Sequence, residues 1–172
     1  MSVGRRLVCA GGVLAAGGAY LGAANSSTLA RPSEPVVLTV RGKVSITNRS
    51  GGADFDMPML ERMPQRRIVT KTPWYESARS FTGPLLRDVL AACGAKGTTI
   101  RAIALNDYKV EIPFADPQKI DVVMARLLDD RPMPVREKGP LFIIYPFDDL
   151  PEVRSAVYFA RCAWQLRTLE VV

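Results

Sequence analysis

The sequence predicts a single α+β domain, with mixed and antiparallel β-sheets and two or three short helices. Three observations predict this class. Short apolar segments recur along the chain, several of them alternate apolar with polar residues as half-buried strands do, and two segments carry the signals of helix starts. The chain has 172 residues and no internal repeat, which fits one domain.

The N-terminal residues predict a segment that is separate from this domain. Arg5 and Arg6 form a basic start, residues 7–24 carry no charge, and small residues dominate up to Ala30. This order is typical of a secretory signal peptide, so we assign residues 1–30 to export, with cleavage after Ala24 or Ala30. An uncleaved N-terminal membrane anchor is the alternative. We therefore expect the protein in the periplasm or secreted.

The predicted domain covers residues 31–172, and its charge and composition exclude several functions. Without Arg5 and Arg6 of the predicted signal peptide, the domain keeps 21 of the 23 basic residues and all 17 acidic ones. Its net charge is therefore +4, whereas that of the whole chain is +6. The basic residues are spread along the chain, which does not indicate nucleic-acid binding. The chain has no histidine, which excludes Ser-His-Asp and Cys-His catalysis and histidine-bound zinc or haem.

Two cysteines remain in this domain, Cys93 and Cys162, and they are too few for a four-thiolate metal site. An oxidising compartment would permit a disulfide between them. Both lie in apolar patterns, however, which favours two separate buried thiols.

The strands are predicted from alternating and short apolar segments. Alternation runs over residues 36–41, Gly42 marks a turn or bulge, and Val44 and Ile46 resume the pattern. A two-residue hairpin signal, Asn106-Asp107, separates two later strands. The two strands around this signal are residues 100–105 and 108–112. The remaining predicted strands are residues 67–71, 122–128, 141–145 and 162–171.

Two helices are predicted from their starts, and a helical turn is expected after Pro117. Asp56 can cap a short helix with Pro58 in its first turn. Phe81-Thr82-Gly83-Pro84 is interpreted as the opening of a second helix, which Gly94 ends as a left-handed cap. An apolar stripe identifies the buried side of that helix: Leu86, Val89, Leu90 and Cys93.

The order of these elements resembles the molybdopterin-binding domain of the sulfite oxidase family, in its smaller bacterial branch. The likeness covers most of residues 36–172, and no single segment is specific without the others. The segments that carry it are residues 81–90, 105–113, 136–141 and 164–166, which read FTGPLLRDVL, LNDYKVEIP, REKGPL and WQL. The resemblance implies a sulfite-oxidase-like fold.

In that family the domain holds a pterin dithiolene that chelates molybdenum, and a protein cysteine just before the second helix adds a sulfur ligand. The matching segment here, residues 67–74, reads RIVTKTPW, and the ligand position falls near residues 68–70. A hydroxyl or aliphatic side chain replaces a soft thiolate poorly. We therefore expect no catalytic residue, no metal ligand and no bound cofactor. The alternative is a molybdopterin-dependent oxidoreductase acting on sulfite- or sulfoxide-type substrates.

The resemblance also indicates which residues face a pocket. Arg136 and Lys138 suit an anionic group, unless they are only solvated surface charges. Trp74 either lines the pocket or fills it, and Tyr108 either contacts a ligand or belongs to the core. Trp164 is assigned to the core. The candidate ligand-contacting residues are Thr70, Thr72, Trp74, Asn106, Tyr108, Arg136, Lys138 and Gly139.

The expected function is that of an exported accessory protein without catalytic molybdenum. It would bind a small molecule in the pocket, or a membrane sensor or redox protein as a partner. A purely structural envelope protein is a further possibility. No nucleic acid is expected as a partner, and membrane contact is expected only through the N-terminal segment if it stays uncleaved.

Overall fold

The computed structural model describes residues 28–172, so the predicted signal peptide lies outside the described residues except for its last three positions. In this part of the chain, short strands form three sheets of five, four and two strands. The strands are β1 (Leu38–Gly42), β2 (Gly52–Phe55), β3 (Gln65–Thr70), β4 (Arg79–Pro84), β5 (Thr99–Ala104), β6 (Lys109–Pro113), β7 (Val123–Ala125), β8 (Leu127–Leu128), β9 (Arg131–Pro132), β10 (Phe142–Ile144) and β11 (Leu166–Val171).

The five-stranded sheet has the order β2-β1-β11-β5-β6, so the last strand of the chain lies at its centre. Strand β11 pairs parallel with β1, with Thr39 opposite Thr168, and antiparallel with β5. The apolar side chains of Leu166 and Leu169 are completely buried. These two residues are three apart, and both can be buried because the pairing of β11 with β5 shifts its register between Leu166 and Thr168.

Charged side chains form a ladder across the exposed face of this sheet. Arg41 and Arg101 both pair with Glu170, at 3.3 and 2.8 Å, and Arg101 also pairs with Glu111 at 3.1 Å. These residues are direct cross-strand neighbours on four adjacent strands. Such pairs contribute roughly 0.2–1 kcal/mol each. Glu111 thus lies on the solvent face and supports the sheet rather than a reaction.

The other two sheets have the orders β3-β4-β8-β9 and β10-β7. An isolated bridge between Leu85 and Val123 connects the end of β4 to β7. A Cβ atom on Gly83 would lie 2.0 Å from the carbonyl oxygen of Met124, so the two sheets approach each other as closely as backbones can. All three sheets contribute to one apolar core.

Helices cover the ends and edges of these sheets. Asp56 caps the first helix and Pro58 lies in its first turn, as predicted. The predicted stripe of the second helix is buried, and Gly94 follows it with φ +57°. The described helices are α1 (Met57–Arg62), α2 (Leu86–Ala92), α3 (Asp116–Lys119) and α4 (Ala156–Arg161). None of them is long and apolar enough to cross a membrane.

Three local predictions are wrong. Phe81-Thr82-Gly83-Pro84 belongs to strand β4, which pairs with β3 along its whole length, and the helix begins only at Leu86. Ser45 and Ile46 do not continue a strand, because both backbone amides bond to the carbonyl of Cys93 instead.

The third error concerns the C-terminal strand and the number of helices. Helix α4 makes a fourth helix in a segment for which no element was predicted, and the strand after it starts at Leu166 rather than at Cys162. Cys162 instead follows α4 directly. The expectation of two separate thiols is confirmed, because Cys93 and Cys162 are both free and buried.

Beyond capping α1, the carboxylate of Asp56 ties the start of the domain to this helix. It is completely buried and accepts hydrogen bonds from the backbone N–H groups of Ser33, Glu34 and Met59, at 2.6, 3.0 and 2.9 Å. Burial by itself raises the pKa of Asp56, but these hydrogen bonds outweigh burial and hold the pKa below its usual value.

Stability is therefore expected to fall in acid, and Asp56 to account for part of that fall. The unfolded chain binds the proton more tightly, so the stabilisation is complete above the unfolded pKa of about 3.9 and disappears as pH drops through the lower folded value. Asp56→Asn should be less stable than the parent at neutral pH and lose less on acidification. Urea unfolding at a series of pH values measures this. Asp149→Asn, an exposed control, should follow the parent curve; if Asp56→Asn follows it too, the assignment is wrong.

Candidate functional site

An apolar pocket of about 350 Å³ opens between the loop after β3, the hairpin tip between β5 and β6, and helix α4. Its walls are aromatic and small side chains, and its volume lies at the lower end of the roughly 300–1,000 Å³ usual for small-molecule sites. The residues that line it are Pro73, Trp74, Tyr108, Ala156, Phe159, Ala160, Cys162 and Trp164.

Trp74 forms the inner wall of this pocket. Its ring packs edge-on against Phe142, Phe159 and Trp164, with ring centroids 5.3, 6.3 and 5.6 Å away. Edge-to-face pairs at these distances contribute roughly 0.5–1.5 kcal/mol each beyond their area burial. Trp74 is therefore held rigidly by the core while its remaining surface faces the cavity. Trp74 thus lines the cavity that this structure contains.

Tyr108 lies at the mouth of the pocket because of the hairpin turn before it. The side chain of Asn106 accepts a hydrogen bond from the Tyr108 N–H, and Asp107 adopts φ +63°, so the turn has the residues it requires. Tyr108 is 51% exposed, so the alternative of a core tyrosine is wrong. Asn106 is exposed and shapes the turn.

Trp164 forms the outer wall and is 38% exposed, so its assignment to the core is wrong. The next residue explains its position. Gln165 has φ +52°, its N–H donates to the carbonyl of Lys138, and its own carbonyl accepts from Leu105. This left-handed residue interrupts the strand geometry before β11 and turns the indole of Trp164 out of the core.

Lys138 brings a positive charge to the outer wall. Its ammonium lies 5.3 Å from the ring centroid of Trp164 and 5.7 Å from that of Tyr75. The guanidinium of Arg79 also lies over the ring of Tyr75, 5.2 Å from its centroid. Lys138, one of the candidate cations from sequence, is not itself a lining residue, but it lies against Trp164, which is.

Arg136 and Gly139 have other roles. The Arg136 side chain is 84% exposed, pairs with Glu137, and lines a separate polar depression of about 600 Å³ together with Arg79 and Arg131. Gly139 is buried, and a Cβ atom there would lie 1.8 Å from the carbonyl oxygen of Met133. Gly139 thus permits a close approach of two backbone segments.

Thr70 lies at the end of β3 and closes a reciprocal contact with a later loop. Its hydroxyl accepts from the N–H of Asp148 at 3.1 Å, and the carboxylate of Asp148 accepts from the N–H of Lys71 at 3.0 Å. Arg154 holds the second oxygen of that carboxylate at 2.6 Å. The Thr70 side chain is therefore occupied in joining two loops. Thr72 is also buried, and its hydroxyl has no hydrogen-bond partner among the described residues.

Helix α4 is fixed by a partly buried polar contact behind the pocket. Arg161 at its end pairs with Asp116 at 2.8 Å, and the hydroxyl of Tyr145 donates to the same carboxylate oxygen at 2.9 Å. Burial, strengthened by this carboxylate, raises the pKa of Tyr145, so its phenol remains a neutral donor. The anchor places Phe159 and the small residues of α4 along the pocket.

Cys162 is the thiol in the pocket wall. It is 3% exposed, and its Sγ lies 3.4 Å from the carbonyl oxygen of Tyr158 as a donor. Burial raises the pKa of Cys162 to about 12, so the thiol is neutral at physiological pH. Cys93 is buried in the core on the stripe of α2, and burial raises its pKa to about 12 as well. No group of three metal-ligating side chains lies together within residues 28–172.

Sequence reasoning missed six of the eight lining residues. Pro73 was not singled out and Trp164 was assigned to the core; the other four are Ala156, Phe159, Ala160 and Cys162. These four belong to α4 or follow it, and no residue of this helix is buried. The segment of α4 therefore lacks the amphipathic pattern that would have predicted a helix there. The available signal was Ser155, which precedes the apolar run at the N-cap position.

The fold is shared with a solved enzyme structure. A chain of the sulfane dehydrogenase SoxCD from Paracoccus pantotrophus superimposes with a TM-score of 0.58 at 16% sequence identity. The match covers 78% of this chain and 37% of that one, so this chain spans little more than a third of its length. No family model matches the sequence, and no curated protein matches it. The α+β fold predicted from the sequence is confirmed, and the likeness is one of fold.

Proposed function

We propose that this protein is an exported accessory domain that binds a small molecule in the aromatic pocket and works without molybdenum held by the polypeptide. The observation that carries the proposal is the pocket itself, which is bounded by Trp74, Tyr108 and Trp164. Its walls are preorganised by the core and by the anchored helix α4, which favours ligand binding because little ordering remains to be done.

The chemistry of the donor set argues against a protein-bound molybdenum. The position that the resemblance assigns to the metal ligand falls at Thr70 or just before it, in a strand that offers hydroxyl and aliphatic groups. The hydroxyl of Thr70 already joins two loops through Asp148. Cys162 offers sulfur, but as a buried neutral thiol bonded to a carbonyl oxygen. These residues do not fit a metal that needs a protein thiolate.

A second candidate is a molybdopterin-dependent oxidoreductase acting on sulfite- or sulfoxide-type substrates. The likeness to a sulfane dehydrogenase supports this second candidate more directly than it supports an accessory role. Fold and function are separable, however, and the likeness is one of fold at 16% identity. In this second function the metal would have to be held by the pterin without sulfur from the chain.

Metal and pterin analysis distinguishes the two functions. The full chain is produced in molybdenum-replete bacterial cells that make molybdopterin, recovered through its native export route, and analysed for molybdenum by mass spectrometry and for pterin by fluorescence. We expect neither in stoichiometric amount, and no dye-linked turnover of sulfite, sulfoxide or thiosulfate. Stoichiometric metal and pterin together with turnover would replace the accessory function by the second candidate.

Export is part of the same proposal and rests on the order of basic, apolar and small residues before Arg31. N-terminal sequencing of the recovered protein is expected to begin at Asn25 or Arg31. A chain that keeps Met1 or Ser2 and stays with the cytoplasmic fraction would contradict export.

A further inference from the structure

We infer that the ligand of this pocket is a planar aromatic acid, with its ring system between the indoles and its anionic group at Lys138. The inference rests on the proposed function and names the class of molecule that the pocket takes. It follows from three features of the pocket: the shape of its walls, the charge at its rim, and the lack of acidic groups among the residues that line it.

The walls favour a flat ring over an aliphatic chain. The rings of Trp74 and Trp164 stand at 78° to each other, and Phe159 stands at 81° to Trp74. Rings set at steep angles offer both faces and edges, and a planar aromatic guest can meet them in offset and edge-to-face contacts. Ala156 and Ala160 leave the space between them open.

The charge at the rim favours an anion. The Lys138 ammonium lies over Trp164 and forms no salt bridge with a described residue, because its neighbour Glu137 pairs with Arg136. A carboxylate, sulfonate or phosphate on the ligand would supply the missing counter-charge in a charge-assisted hydrogen bond.

The lining of the pocket adds no negative charge that would oppose this. None of the lining residues is acidic, and Cys162 is a neutral thiol. The carboxylates around Lys138 and Tyr75 pair with other cations, Glu137 with Arg136 and Asp129 with Arg79. A cationic ligand would instead meet the ammonium of Lys138 without compensation.

Three probes with one carbon skeleton test this inference: 2-naphthoate, 2-naphthamide and decahydro-2-naphthoate. Binding is measured by isothermal titration calorimetry on the full chain as purified. We expect 2-naphthoate to bind about tenfold more tightly than the neutral amide, since hydrogen bonds to charged groups exceed neutral ones by about that much. The saturated acid should bind more weakly than the aromatic acid, because it cannot stack.

Two variants locate the charge. Lys138→Gln should remove the preference for the acid over the amide and leave amide binding unchanged. Arg136→Gln is the matched control, because it removes a positive charge two residues away that faces a different depression. It should keep the preference, and both variants should unfold at the same denaturant concentration as the parent.

The outcomes separate this inference from the proposed function. Equal binding of acid and amide, or a preference that survives Lys138→Gln, overturns the aromatic-acid assignment while leaving a ligand pocket. Failure of all three probes to bind overturns the aromatic-acid assignment, whereas the proposed function is decided by the metal and pterin analysis.

Discussion

Replacement of Phe142 by alanine is expected to lower the free energy of unfolding by about 3–5 kcal/mol, the usual cost of removing a buried phenylalanine. The Phe142 side chain is completely buried in β10. Its ring touches three others edge-on, with centroids 5.3 Å from Trp74, 6.0 Å from Phe81 and 6.1 Å from Trp164. Urea unfolding followed by tryptophan fluorescence measures this loss of stability. The substitution should also alter the tryptophan fluorescence of the folded protein.

Phe142→Leu is the control for this substitution, because it retains most of the buried volume while removing the aromatic contacts. It should cost clearly less, roughly 1–1.5 kcal/mol, and leave the chain folded. The folded Leu variant should still bind a pocket ligand less well, since Trp74 and Trp164 lose the ring they both rest on. An Ala variant that loses less than about 1 kcal/mol would show that the site collapses without leaving a cavity.

The parts of the fold that the sequence predicts well are those in which local pattern and tertiary role agree. The stripe of α2 predicts a helix because all four of its residues enter the core. The Asn106-Asp107 signal correctly locates the β5–β6 hairpin because a turn depends mainly on its own residues, although four residues (105–108) and not two join the strands. Asp56 predicts the start of α1 for the same reason.

The parts that escaped prediction depend on distant partners. Phe81-Thr82-Gly83-Pro84 carries the glycine and proline of a helix entry, yet pairing with β3 and β8 makes it the middle of a sheet. Helix α4 has no buried face, and the contact between Arg161 and Asp116 that holds it joins residues 45 positions apart. Tertiary contacts of this kind leave no periodic signal in the segment itself.

The candidate site divides in a similar way. Trp74 and Tyr108 line one pocket and Lys138 lies against its outer wall, Trp164, although the three lie in separate parts of the chain. Their convergence was expected from a resemblance of element order, and spacing alone would not have given it. Trp164 was placed in the core because alternation continued through it, and the positive φ of Gln165 broke that alternation.

Gly139→Ala is expected to destabilise the protein by about 3 kcal/mol, the upper end for overpacking in a closely packed region. The reason is space rather than backbone conformation. The added methyl group would meet the Met133 carbonyl at 1.8 Å and its carbon at 2.5 Å, and backbone atoms cannot turn away as a flexible side chain can.

Gly51→Ala provides the matched control, because this glycine has the opposite properties. It adopts φ +76°, and no atom lies within 4 Å of a Cβ placed on it. Its cost should therefore be the backbone strain alone, about 1–2 kcal/mol. Thermal unfolding of both variants measures the difference. Because Lys138 precedes Gly139, the Gly139 variant should also lose the preference for acidic ligands at temperatures where it remains folded, whereas the Gly51 variant should keep it. Equal losses of stability would mean that the segment around Met133 yields to the methyl group, and the close approach would then not be what requires glycine at this position.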